Sequence, residues 1–193
     1  MADAGRVLLC RSLHRLLIPL ALLAGTVLAL PTGASAAGPC QDANLTPSSA
    51  NLTQVRAITL CLINSERTSR GRAPLSSSPP LRKAAYSYSR LMVRDRFFSH
   101  VSPSGSTLTS RVRGGTTYLR GARSWALGEN IAWGSGALGT PARIVSAWMR
   151  SPGHRANILT ADFRNIGIGI ASGAPRSTGG RSAVTYTADF GRR

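Results

Sequence analysis

Acids, histidine, lysine and cysteine are all scarce in this 193-residue chain. It carries seven Asp and Glu against 24 Lys and Arg, with three His, three Cys and a single lysine, Lys83. So few acids and histidines exclude an EF-hand, a carboxylate-rich magnesium site and a large metal cluster. No HExxH, GxxxxGK(S/T) or GxSxG segment occurs, so the local signatures of zincin peptidases, phosphate-binding loops and nucleophile elbows are missing. The formal net charge is +17, yet beyond the first 36 residues the Arg residues are spread from Arg56 to Arg193 without interleaved aromatics. That pattern is no stacking platform for nucleic acid, and none is expected as a partner. At 42% apolar and 16% charged residues the chain is neither disordered nor a multi-span membrane protein.

What is present begins with an export signal. Arg6, Arg11 and Arg15 precede an uncharged run from Leu16 to Leu30, and Ala34-Ser35-Ala36 supplies a small-x-small end. This predicts a signal peptide over 1–36, cut after Ala36. Pro19 and Gly25 interrupt a run already shorter than the ~20 residues of a membrane span, which argues against a retained anchor. Removal takes three Arg and Asp3 and leaves Cys40 and Cys61 as an even pair. In an exported chain these are expected to form a disulfide, tying a linker over 37–52 to the first helix of a domain over 53–193. Closing a loop of that length stabilises by about 3 kcal/mol in the chain-entropy model. A secreted, cationic monomer of this kind is expected to attract anionic cell-wall polymers or lipid headgroups.

Periodicity then orders the domain. A helix from Thr53 to about Arg70 is apolar most of the way round, and Gly71 stops it. Ser78-Pro79-Pro80 opens a second, with Leu81, Ala85, Tyr88 and Met92 on one stripe. Shorter helices are expected at Leu108 to Val112, after Thr140-Pro141, and from Ser151-Pro152 to Leu159 with Ser151 as N-cap. Tyr118 to Ala132 reads equally as strand or loop. Ile166, Ile168 and Ile170 alternate with glycines, and Val184, Tyr186, Ala188 and Phe190 alternate with polar residues, so a loose hairpin closes the chain. Helices followed by an antiparallel pair make an α+β fold.

After export only His100 and His154 remain, each at the start or end of a helix. His154, in the first turn of its helix, is expected to stay neutral because the positive dipole end opposes imidazolium. Glu129 lies between them in sequence, flanked by Gly128 and Asn130. Two His and one Glu on separate loops match the donor set of an open zinc site, although two polar loop residues beside a hydrogen-bonded Glu account for the same pattern. Glu66 lies on the first helix's stripe but also suits an i, i+4 pair with Arg70. Asp95 is expected on the inner side of its helix, paired with an Arg or holding His100.

Taken together, Asn64-Ser65-Glu66-Arg67, Ser99-His100, Gly128-Glu129-Asn130-Ile131-Ala132, Trp148-Met149, Ser151-Pro152-Gly153-His154-Arg155 and Asp189-Phe190-Gly191 resemble the CAP superfamily of cysteine-rich secretory, antigen 5 and pathogenesis-related 1 proteins. The similarity is to its bacterial SCP-like branch and runs over about residues 55–191. It implies a three-layer α-β-α sandwich with a mainly antiparallel sheet, in which His100, Glu129 and His154 line one cleft. Zinc or another divalent cation is then an implied ligand, with Glu129 as the candidate catalytic group. Asn64, Arg67, Asn130, Trp148 and Ser151 fall on motif positions of structural character. One departure bears on activity. Many members place a second Glu shortly after the Trp pair, where this chain has Arg150 and Ser151. Lacking it, a metal-bound water has no second carboxylate to act as base, so binding is expected before hydrolysis, with a metal-dependent peptidase or an inert scaffold as the alternatives.

Overall fold

The computed structural model describes residues 40–193. The expected signal peptide and the first residues of the linker lie outside them. The elements run α1 (Leu52–Thr68), β1 (Ser76–Ser77), α2 (Pro79–Arg94), α3 (Leu108–Gly115), β2 (Ala126–Ser135), a 3-10 turn (Gly136–Gly139), α4 (Pro141–Arg150), α5 (Pro152–Leu159), β3 (Asn165–Ser172) and β4 (Ala183–Arg192). The strands form one sheet in the order β1-β3-β4-β2. β4 pairs antiparallel with both β3 and β2, while the two-residue β1 lies parallel to β3 and makes the sheet mixed. Nothing in Ser76-Ser77 announces a strand, and β1 exists because its neighbours pin it. The stretch from Tyr118 to Ala132 resolves as both: turn and loop up to Trp125, then β2 from Ala126, which reaches Ser135.

The alternation along β3 and β4 separates two unlike faces. Ile166, Ile168 and Ile170 join Val184, Tyr186, Ala188 and Phe190 in the main core, with Val55 and Ile63 of α1, Trp148 of α4 and Ile158 of α5. Fully burying each of the Ile, Val and Phe side chains among them stabilises by roughly 1.5–3 kcal/mol. On the opposite face β4 presents the buried Thr185, Thr187 and Asp189, whereas β3 presents only Gly167, Gly169 and Ala171, and α2 lies directly on that bare stretch of β3. A Cβ on Gly167 would sit 2.1 Å from the Arg82 nitrogen, and one on Gly169 2.1 Å from that of Tyr86. Ser89 of α2 completes this close approach, meeting the Gly169 carbonyl at 3.1 Å and the Thr187 hydroxyl at 2.8 Å.

The expected helix starts hold in position, though not always in chemistry. The Ser78 hydroxyl accepts from the Leu81 N–H at the head of α2. Thr140 and Ser151 occupy the N-cap positions of α4 and α5, but neither side chain makes a capping bond. Pro at the first helical position already supplies the turn there. Gly71, past the end of α1, has φ +67°, a left-handed conformation that Gly adopts freely. Cys40 and Cys61 are disulfide-bonded.

Asn64 and Arg67 explain how α1 grips the rest. Asn64 donates to the Leu75 carbonyl and accepts from the Leu75 N–H, fixing the approach to β1. Arg67 is fully buried and enters no ion pair found among the described residues, its guanidinium donating to the carbonyls of Ala73, Ile158, Thr160 and Phe163. Burial, aggravated by Arg164 and Arg72, lowers its pKa. The negative end of the α5 dipole and the carbonyls stand in for a counter-ion. Replacement by Met strands these acceptors, so Arg67→Met is expected to cost at least about 3 kcal/mol. Arg67→Lys should recover only part of that, because one ammonium cannot span the four carbonyls. Urea denaturation of the three proteins measures both differences.

Candidate functional site

β2 is an edge strand, so groups from both layers can wrap round it and meet. Gly128 begins the arrangement, because a Cβ there would press on the Phe163 ring at 2.9 Å and the Asn157 amide at 3.0 Å. With that space open, Asn157 donates to the Glu129 carbonyl at 3.1 Å and to Asn130 Oδ1 at 2.9 Å. Asn130, fully buried, donates in turn to the His154 carbonyl at 3.0 Å and so fixes the first turn of α5. Further along, Trp148 Nε1 donates to the Ile131 carbonyl at 3.1 Å. These contacts give the motif residues their role, which is to hold α4 and α5 against β2 and to aim His154.

The three expected site residues do come together. Glu129 is buried, with Oε1 2.8 Å from His100 Nδ1. His100 stands on the loop after α2, its side chain 52% exposed. The His100 and His154 ring centroids are 6.4 Å apart. The His154 pKa is lowered by burial and then by His100, which favours the neutral form expected from sequence. Glu66 lies outside the cleft and pairs with Arg70 at 2.5 Å. Asp95 is exposed, not inward, and bonds Arg94 at 2.6 and 2.8 Å instead of His100, because α2 has ended and Asp95 caps it.

Two residues of the site were not foreseen. Arg111 of α3 forms a buried ion pair with Glu129 Oε2 and donates to the carbonyls of His100 and Ser106. Its guanidinium lies over the Tyr88 ring, 3.3 Å from the centroid, and the Tyr88 hydroxyl donates to the Ser99 carbonyl at 2.7 Å. Burial pushes Tyr88 up to about 12, with Arg111 opposing it. Asp189 of β4 is the second. It stands directly opposite Glu129 in the β2–β4 register, fully buried, and neither carboxyl oxygen meets a hydrogen-bond partner of good geometry. Burial and then the neighbouring Glu129 push its pKa well above the usual carboxylate range, which favours the protonated form of Asp189.

This arrangement bears on the divalent metal that the resemblance implies. Both Glu129 oxygens are engaged, one by an imidazole and one by a guanidinium, so a cation there would compete with Arg111. Among the described residues no group of three or more His, Cys, Asp or Glu is gathered as metal ligands. The donors as arranged do not fit a resident three-ligand ion.

The comparisons place this architecture. The model of the CAP, or cysteine-rich secretory protein, family matches residues 60–190, and the chain belongs to that family. It is similar to the uncharacterized protein YkwD of Bacillus subtilis, 37% identical over 130 residues that cover 66% of this chain and 46% of that protein. It is also similar to the uncharacterized membrane protein YlbC of the same organism, 33% identical over 58% of this chain and 30% of that one. The chain therefore spans less than half the length of these relatives. Among solved structures, an extracellular SCP-domain protein of Bacillus anthracis superposes with a TM-score of 0.57 at 26% identity, over 73% of this chain and 43% of that one. An outer surface protein of Borrelia burgdorferi shares the fold, with a TM-score of 0.58 at 21% identity over 77% and 97% of the two chains.

A raised Asp189 pKa has a defined consequence for stability. The folded state keeps a proton that the unfolded chain releases near its ordinary 3.8, so this stabilising contribution is complete below that pH and is lost as pH rises through the folded value. Asp189→Asn removes the ionisation while keeping the shape. Its thermal midpoint is expected to gain on the parent between pH 4 and pH 8; a gap that shrinks or reverses over that range would contradict a raised Asp189 pKa.

Proposed function

We propose that the chain acts outside the cell as a ligand-binding CAP domain and not as a hydrolase. Glu129 carries the reading. Its carboxylate is committed to His100 and Arg111 and is not free to activate water. The second carboxylate common in the family is replaced by Arg150 and Ser151. An extracellular setting is supported by the leader-like residues 1–36, by the Cys40–Cys61 disulfide, and by the extracellular origin of the Bacillus anthracis structure. Among the described residues no helix is long and apolar enough to cross a membrane.

The ligand this cleft suits is polar and anionic, the chemistry of a cell-wall polymer or lipid headgroup. The exposed edge of His100 and the half-buried His154 present two imidazoles, and beyond residues 1–36 the chain carries 21 Lys and Arg against six Asp and Glu. A second reading is a divalent cation held by the two imidazoles alone, favoured by their 6.4 Å separation and by a His154 biased to its neutral, ligating form.

Calorimetric titration with zinc at pH 7.5 separates these readings. The proposal expects no saturable one-to-one zinc site, and saturable binding of soluble anionic wall fragments that weakens as salt is raised. A one-to-one zinc site lost in both His100→Ala and His154→Ala would establish the second reading. Chelator-sensitive peptidase activity, abolished by Glu129→Gln in a folded protein, would overturn the preference for binding.

A further inference from the structure

The two edges of the sheet are finished differently. At β2 the carbonyls of Glu129 and Ile131 are taken up by the Asn157 and Trp148 side chains. At the other edge, β1 covers only Asn165 and Ile166 of β3, ending with the Ser78 N–H on the Ile166 carbonyl at 2.8 Å. Alternation along the strand sends the N–H and C=O groups of Ile168 and Ile170 toward that same side, where no further strand lies among the described residues. These residues floor a groove of about 400 Å³ between the start of α1 and the outer side of α2. Leu52 and Tyr86, the latter 45% exposed, wall it.

Three cations line the same groove: Arg56, Arg82 and the single lysine, Lys83. None of these side chains enters any ion pair found among the described residues. Burial and the neighbouring Arg82 lower the Arg56 pKa, a sign of mutual repulsion that nothing among the described residues relieves. A site with strand-edge donors and acceptors at its floor and unneutralised charge at its rim calls for an extended, acidic occupant.

We propose that this groove docks an extended acidic segment of a partner polypeptide. The segment adds to the open edge of β3 through main-chain bonds to Ile168 and Ile170 and lays its carboxylates against Arg56, Arg82 and Lys83. A polypeptide fits better than a wall polymer because the edge repeats every two residues, at the spacing of another strand. A second copy of this chain is a poor candidate. Its seven acids stand far apart in sequence, so no part of it supplies an acidic strand, and residues 1–39 contribute only Asp3. The inference is independent of the His100 cleft.

The test titrates the purified, disulfide-bonded protein with a capped nonapeptide of alternating Glu and Val, followed by amide NMR. Saturable binding is expected, with shifts and slowed exchange centred on the Ile168 and Ile170 amides. The Arg56→Glu/Arg82→Glu variant, confirmed as folded by its thermal midpoint, should raise Kd at least tenfold. Should that pair fail to fold, Lys83→Glu on the exposed side of α2 replaces it and should weaken binding in the same direction. Methylating alternate peptide nitrogens should also cost at least tenfold. Equal binding of the methylated peptide would overturn the proposal, as would inorganic polyphosphate binding where the peptide does not. Absence of peptide binding at millimolar concentration would overturn it too.

Discussion

Two carboxyl groups placed side by side between a sheet and a helix set the terms for this molecule. Glu129 and Asp189 face each other across β2 and β4, beneath the layer that carries α2. Buried like charges at such range cannot both persist, and the structure resolves the conflict in two ways. Burial and Glu129 bias Asp189 toward its protonated form, and Glu129 is met by Arg111 and His100. Satisfying Glu129 draws α3 and the loop after α2 toward the edge strand. Arg111 then ties that loop down through the carbonyls of His100 and Ser106 and packs flat on Tyr88. The cleft is thus a consequence of charge burial as much as a place for a ligand.

The opposite layer is built to hold its side of the cleft without charge. Arg67 gathers the end of α5 to the end of α1 through backbone carbonyls, while Asn130 and Asn157 join α5 to β2 at its beginning. α5 is only eight residues long, and a helix that short depends on tertiary partners for its position. Held at both ends, it presents His154 opposite His100. The Ile-Gly alternation of β3 serves the same end from the other face, letting α2 rest on the backbone so that Tyr88 reaches Arg111.

Much of this was legible in the residues. The isoleucine-glycine alternation, the Ser78-Pro79 and Thr140-Pro141 helix starts, the Cys40–Cys61 pair and the Glu66–Arg70 ion pair each follow from local rules, and local rules are what sequence states directly. His100, Glu129 and His154 were singled out by scarcity. Arg111 escaped because it is one of 23 arginines and its partner lies eighteen residues away, in a contact that only the packing of α3 on β2 creates. Asp189 read as the polar side of an alternating strand. Its burial follows from the central place of β4, covered on both faces, which the topology decides. Asp95 was misplaced because the α2 stripe was extended one residue beyond the helix. β1 left no pattern, since backbone bonds to β3 and the Asn64 clamp make it a strand.

The central claim is that Arg111 and Glu129 act as one buried unit, each present because of the other. A double-mutant cycle on folding stability measures this directly. Arg111→Gln alone strands Glu129 beside Asp189 and should cost about 3–5 kcal/mol, the range for breaking a buried pair. Adding Glu129→Gln should restore most of that loss, giving a large favourable coupling. Two single costs that simply add, with no recovery in the double variant, would contradict the account.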